Sequence, residues 1–298
     1  MENQLKAVSL LRTTKLIKAY QEYRAVDEVS MTINQGDIYG FIGKNGAGKT
    51  TFIRMLTNLI EKSSGSIEFF SGKENIKIGA VIESPACYPY LSAQANLAYY
   101  AIQVDLPDKQ ERIKEVLEFI GLGDVGEKMF KDFSLGMKQR LGIGLAILNK
   151  PNLLILDEPT NGLDPQGIVE IREIIKKLNQ QYQTTILVSS HILSELSMIA
   201  TRYGIIHQGK LVKEVTTQEL EHECEKPILL SSVDDQNCQT ILKKEGYIVD
   251  VAANGLIINA EKSKMPDISR LLFRHQLNLT YFSYKEESLE EYYLKVTR

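Results

Sequence analysis

Apolar positions fall into two rhythms along the first 220 residues. Residues 11–17 and 29–33 read as strands, and 38–42 form an apolar block that ends in a glycine-rich stretch. A helical pattern then runs through Phe52, Met55 and Leu59. Short strands are expected at 66–70 and 77–81. From about 83 to 150 the pattern is mostly helical. Ile113, Val116, Leu117 and Ile120 share one face of a helix over 109–120, which Gly121-Leu122-Gly123-Asp124 interrupts. Residues 153–156 are apolar throughout, which places that strand inside a parallel sheet. Ile168, Ile171, Ile175 and Leu178 form the apolar face of the next helix. A strand follows at 185–189. Residues 203–207, a turn at Gln208-Gly209-Lys210, and 211–212 read as a terminal hairpin.

Beyond about residue 218 the rhythm changes. Residues 221–226 are polar and charged, a linker or a helix end. Strand 228–230, helix 236–244, strands 247–251 and 256–259, helix 268–275 and strand 278–284 follow, with a last helix at 289–295. The order β-α-β-β-α-β is that of a small ferredoxin-like domain. His222 and His275 have no partners at ligand spacing, so this part reads as serving stability or regulation.

Composition narrows the class. The chain has 298 residues, enough for one large domain and one small one. Hydrophobic residues make up 43%, as in a globular protein with a packed core, and the formal charge of -3 gives no general pull toward nucleic acid. No apolar run approaches the roughly 18 residues of a membrane helix. Met1-Glu2-Asn3-Gln4 begins no secretory signal. Cys87, Cys224 and Cys238 lack metal-site spacing and fit a reducing compartment.

The chemistry starts at Gly43-Lys44-Asn45-Gly46-Ala47-Gly48-Lys49-Thr50, followed by Thr51. Glycines let the backbone turn tightly around a phosphate chain, and the helix that follows aims its free amides at the anion. Lys49 can reach the outer phosphates of ATP, and the Thr50 hydroxyl can hold Mg²⁺. Asp157 ends the apolar strand and can hold the same ion. Glu158 comes next, and in an extended chain its side chain would point the other way, toward an attacking water.

These residues resemble the ATP-binding subunit of an ABC transporter over roughly residues 10 to 220. Further motifs occur in that family's order. Phe133-Ser134-Leu135-Gly136-Met137-Lys138-Gln139-Arg140 is similar to the family signature. The resemblance implies that Ser134 and Gly136 contact the γ-phosphate of ATP held by the loop of a second subunit. Gly162-Leu163-Asp164 resembles the loop that crosses between two such sites. His191 falls at the family's switch histidine, and Tyr20 where an aromatic ring stacks on adenine. Without the resemblance, Ser134 and Gly136 mark a helix start, His191 a hydrogen-bonding histidine after a strand, and Tyr20 one of fourteen tyrosines.

One residue departs from the wider family. Glutamine is usual in the loop between sheet core and helical subdomain; here Ile82-Glu83-Ser84-Pro85 places Glu83 there. Together with Tyr88, Leu91 and the signature, this resembles the subgroup that exports, or confers immunity to, bacitracin, lantibiotics and related peptides. Glutamate accepts hydrogen bonds when ionised but does not donate as glutamine does. A neutral replacement stays open beside a changed coupling.

The resemblance implies an α/β P-loop NTPase of ABC type at 1–220, with a RecA-like sheet core and a helical subdomain at about 84–150. A small α+β domain follows at 221–298. ATP would lie on the loop, with Thr50, Glu83 and Asp157 toward Mg²⁺ and Glu158 and His191 as catalytic residues. The partners would be a second ATPase subunit, as a homodimer or with a paralogue, and an integral membrane permease, with no nucleic acid. The chain would sit peripherally on the cytoplasmic face of the membrane. The alternative, a soluble ABC ATPase acting on ribosomes or DNA, usually has two ATPase domains, coiled coils or zinc insertions. This chain has one phosphate loop and no CxxC.

Overall fold

A computed structural model describes residues 8–70, 76–223, 227–252, 255–284 and 289–297. Its contacts divide the chain into two compact units, one ending at Thr217 and the other starting at Gln218.

The first unit opens with β1 (Ser9–Tyr20) and β2 (Tyr23–Asn34), an antiparallel hairpin. β3 (Ile38–Ile42) leads into α1 (Lys49–Leu56). β4 (Ser64–Phe69) returns to pair with β1, closing a three-stranded sheet in the order β2-β1-β4. β5 (Ile78–Val81) precedes the helical block of α2 (Ala93–Gln103), α3 (Lys109–Phe119) and α4 (Leu135–Ile147). Then come β6 (Leu153–Asp157), α5 (Pro165–Tyr182), β7 (Thr185–Ser190) and the short α6 (Leu193–Leu196). β8 (Arg202–His207) and β9 (Lys210–Thr216) end the run, and α7 (Thr217–Glu223) belongs from Gln218 on to the second unit.

The second sheet has the order β5-β6-β7-β3-β8-β9, parallel except for β9. Every residue of β3, β6 and β7 is buried, which explains why these strands lack a polar alternation. Between the two sheets lies a core that includes Leu11, Val29, Phe41, Phe52, Ile155 and Leu187. The Phe41 and Phe52 rings, 5.1 Å apart, pack β3 against α1 and so brace the glycine-rich turn between them.

Some expectations shift. The pattern through Leu59 overshoots α1, which stops at Leu56. Asn58 turns the chain at φ 56, and Leu59 is left 64% exposed. On α5, Ile174 is buried and Ile168 only partly so, because the buried stripe follows 3.6 residues per turn. The polar stretch 221–226, read as a linker or a helix end, starts as the end of helix α7, and residues 224–226, with Cys224, lie outside the described residues.

The second unit contains β10 (Ile228–Ser232), α8 (Asp235–Lys244), β11 (Ile248–Ala252) and β12 (Gly255–Asn259). α9 (Met265–Arg274), β13 (Leu279–Tyr284) and α10 (Leu289–Val296) complete it. Residues 285–288, just before α10, lie outside the described residues. The sheet order is β11-β12-β10-β13, all pairs antiparallel. That is the arrangement of a β-α-β-β-α-β unit. Leu230, Cys238, Leu242, Ile258, Ile268 and Leu272 form its core.

Candidate nucleotide site

The glycine-rich loop joins the end of β3 to the start of α1 and is pinned at three points. Gly43 N–H donates to the Ser190 carbonyl (3.3 Å), Ala47 N–H to Lys44 (3.0 Å) and Gly209 N–H to Ala47 (2.9 Å). Gly48 has φ 106, and a Cβ there would overlap the Ala25 carbonyl of β2. Two constraints, handedness and closeness, therefore demand glycine at this position. Lys44, Asn45 and Gly46 are exposed at the loop's crest, and Thr51 is half-buried in the first turn of α1.

Lys49 is 4% exposed, and its ammonium folds back onto the loop. It donates to the carbonyls of Gly43 (2.6 Å) and Lys44 (3.2 Å) and lies 3.1 Å from Glu158 Oε1. Thr50 Oγ1 donates to Asp157 Oδ2 at 2.7 Å, joining α1 to the end of β6. Glu158 Oε2 lies 3.0 Å from His191 Nδ1. Five predicted residues from the loop, β6 and the turn after β7 thus converge.

The reason for Glu158's direction differs from the strand alternation expected. Its φ is 49, in the left-handed region, so the chain leaves the strand there and carries the carboxylate toward Lys49.

Ser189, absent from the sequence reading, lies inside this cluster. It is fully buried on β7; its hydroxyl donates to Asp157 Oδ1 (2.5 Å) and accepts from Glu158 N–H (2.9 Å). The sequence signal for it was slight: the first of two serines closing the strand, two before His191.

Other predicted residues stand apart. Glu83 has φ 61 at the centre of a tight turn in which Ser84 N–H donates to the Ile82 carbonyl (2.8 Å). Its carboxylate accepts from Arg54 Nη2 at 2.7 Å, so it is held one turn of α1 beyond Thr50. Tyr20 ends β1, 49% exposed, with Lys18 Nζ 5.0 Å from its ring centre. Tyr23, its partner across the hairpin, is 60% exposed. The strand continues from Tyr23 to Ala25, against Gly48, which ties this aromatic pair to the loop.

Ser134 caps α4, its hydroxyl accepting from Met137 N–H at 3.3 Å. No hydrogen bond joins Ser134 or Gly136 to the phosphate loop among the described residues. Instead Gly136 faces Leu163 and Gly162 faces Leu135, so the signature packs on the 162–164 loop of its own chain. Asp164 there caps α5, accepting from Gly167 N–H at 2.9 Å.

Burial pushes the Cys87 thiol up to about 12 and raises Cys238 as well. A thiol so placed stays protonated at neutral pH and is no nucleophile. Among the described residues no three His, Cys, Asp or Glu side chains cluster as a metal site.

The chain is similar to known proteins along most of its length. The ABC transporter family matches residues 26–161. The bacitracin transport ATP-binding protein BcrA of Bacillus licheniformis is 41% identical over 97% of this chain and 97% of its own. The lantibiotic transport ATP-binding protein SrtF of Streptococcus pyogenes is 44% identical over 69% of this chain and 90% of its own. Among solved structures, cbiO1 of Clostridium perfringens, part of the ABC transporter complex cbiONQ, superposes with a TM-score of 0.66. It is 22% identical and covers 80% of this chain and 96% of its own, a likeness of fold.

The fold and loop define a P-loop NTPase. The chain belongs to the ATP-binding proteins of ABC transporters, and its activity is ATP hydrolysis coupled to transport by a separate permease.

Proposed function

We propose that this chain drives export of, or immunity to, a peptide antibiotic, hydrolysing ATP in sites shared between two subunits. The observation that supports it is the convergence of Lys49, Thr50, Asp157, Glu158 and His191. Likeness to bacitracin and lantibiotic transport proteins supports the cargo class.

The roles follow from the contacts. Incoming phosphates replace Glu158 and the loop carbonyls as partners of Lys49, because an anion at that point competes directly for the ammonium. The amides of Gly46, Gly48 and Lys49 face the same anion at the helix start. The Thr50 hydroxyl and Asp157 carboxylate, hard oxygen donors 2.7 Å apart, suit Mg²⁺. Bound there, Mg²⁺ would neutralise charge on the outer phosphates. Released from Lys49, Glu158 accepts the proton of the attacking water, while His191 orients Glu158 and reaches the γ-phosphate. Tyr20 stacks on adenine. Ser134 and Gly136 complete the site of the second subunit, since they stand at the N-terminus of α4, where the helix dipole favours an anion. Glu83 joins the Mg²⁺ side through water once Arg54 releases it.

The catalytic domain spans 1–220 and the small α+β domain 221–298. A groove of ≈ 610 Å³, lined by Ala80, Ile82, Ser84, Ala86, Tyr100 and Leu145, opens between β5 and the helical block. It begins beside Glu83 and is a fitting seat for the permease. No helix among the described residues is long and apolar enough to cross a membrane. The chain then works at the cytoplasmic face, bound to that permease, with no role for nucleic acid.

Cells carrying the complete transporter test this reading. Lys49→Ala should abolish resistance to the exported peptide. Glu83→Gln should leave nucleotide affinity within about threefold, since Lys49 carries the phosphate contact. It should lower resistance more than ATPase, because the amide weakens the Arg54 contact beside the groove while keeping its shape. Unchanged resistance would make Glu83 a neutral replacement; equal losses would place it in hydrolysis.

A further inference from the structure

The Asp157–Glu158 pair poses a mechanical problem. Two adjacent carboxylates must serve different tasks, one on a metal and one on a water. Asp157 has an oxygen on Thr50; Glu158 has one on Lys49 and one on His191. The remaining Asp157 oxygen and the Glu158 backbone N–H are both taken by a single group, the Ser189 hydroxyl.

We infer that Ser189 is the positioning residue for both carboxylates; the inference rests on the nucleotide-site reading above. Its single proton goes to Asp157 Oδ1, which turns Oδ2 toward Thr50 and the metal position. Its lone pair receives Glu158 N–H, which holds that residue in the left-handed conformation an L-residue rarely adopts. Both bonds are short, and Ser189 is completely shielded from water. No solvent molecule can therefore substitute when the hydroxyl is lost. β7 carries His191 just beyond its end, so one strand fixes the metal carboxylate, the base and the histidine together.

Ser189→Thr and Ser189→Val test the hydroxyl at matched shape, since both add the same bulk and only threonine keeps the bonds. The first readout is the factor by which Mg²⁺ tightens binding of a fluorescent ADP to the isolated chain. Ser189→Thr should keep that factor within about twofold of wild type, and Ser189→Val should reduce it by about threefold or more. Binding without Mg²⁺ should be alike in both. The second readout is turnover with the permease present, about tenfold lower in Ser189→Val than in Ser189→Thr. Equal Mg²⁺ factors and equal turnover in the two variants would overturn the inference. If the added bulk unfolds either chain, Ser189→Ala against wild type decides on the same readouts. A wild-type chain that binds no ADP would instead overturn the nucleotide-site reading itself.

Discussion

Glu158→Gln is expected to keep ATP binding and to lower turnover by about 10²-fold or more, the scale of general acid–base catalysis. An amide cannot take a proton from water at neutral pH, so the water loses its acceptor. Binding should survive because, in the proposed site, the phosphate contacts fall to the loop amides and Lys49. The substitution even removes a competitor: Glu158 Oε1 lies 3.1 Å from the Lys49 ammonium, and a neutral amide holds that cation less firmly. Phosphate release and titration with a fluorescent ATP analogue separate the two effects. Turnover near that of wild type would remove Glu158 from the role of base.

The second large effect concerns the proposed sharing of a site between two chains. Lys49 and the Ser134–Gly136 signature are joined by no hydrogen bond among the described residues, and the signature packs on its own 162–164 loop. A mixture of Lys49→Ala and Ser134→Arg subunits should therefore behave unlike either alone. Each homodimer lacks one half of every site and should be inactive. The mixed dimer has one site with wild-type Lys49 facing wild-type Ser134, and its activity should recover in part. Recovery is measured as phosphate release from a complex purified through two different tags with its permease bound. No recovery in such a complex would contradict complementation between subunits.

The parts of the fold that were legible share a cause. β3 and β6 are short apolar blocks closed by glycine or acid, and blocks buried on both faces leave that mark in any sequence. The loop was legible because handedness and close approach leave little but glycine at Gly48. Boundaries were less so: the left-handed turn at Asn58 stops α1 at Leu56, and the apolar rhythm running on to Leu59 masks it. The conformation of Glu158 was also hidden, since its left-handed backbone comes from contacts with Ser189 and Lys49, not from a local preference. Ser189 was illegible because one of two serines near a strand end acquires meaning only when another strand sets Asp157 beside it. Likewise Glu83 could be seen as a departure from the family, but its partner Arg54 lies 29 residues earlier and is visible only in the fold.

The most direct test of the shared site is the mass of the Glu158→Gln chain with ATP and Mg²⁺, measured by light scattering. In this variant the bound nucleotide should persist, and with it the interface that the proposed shared site completes. The account predicts a mass doubled by ATP, from that of one 33.7 kDa chain. It also predicts loss of that doubling when Ser134→Arg is added. A single-chain mass with ATP bound, or a doubling that Ser134→Arg leaves intact, would contradict it.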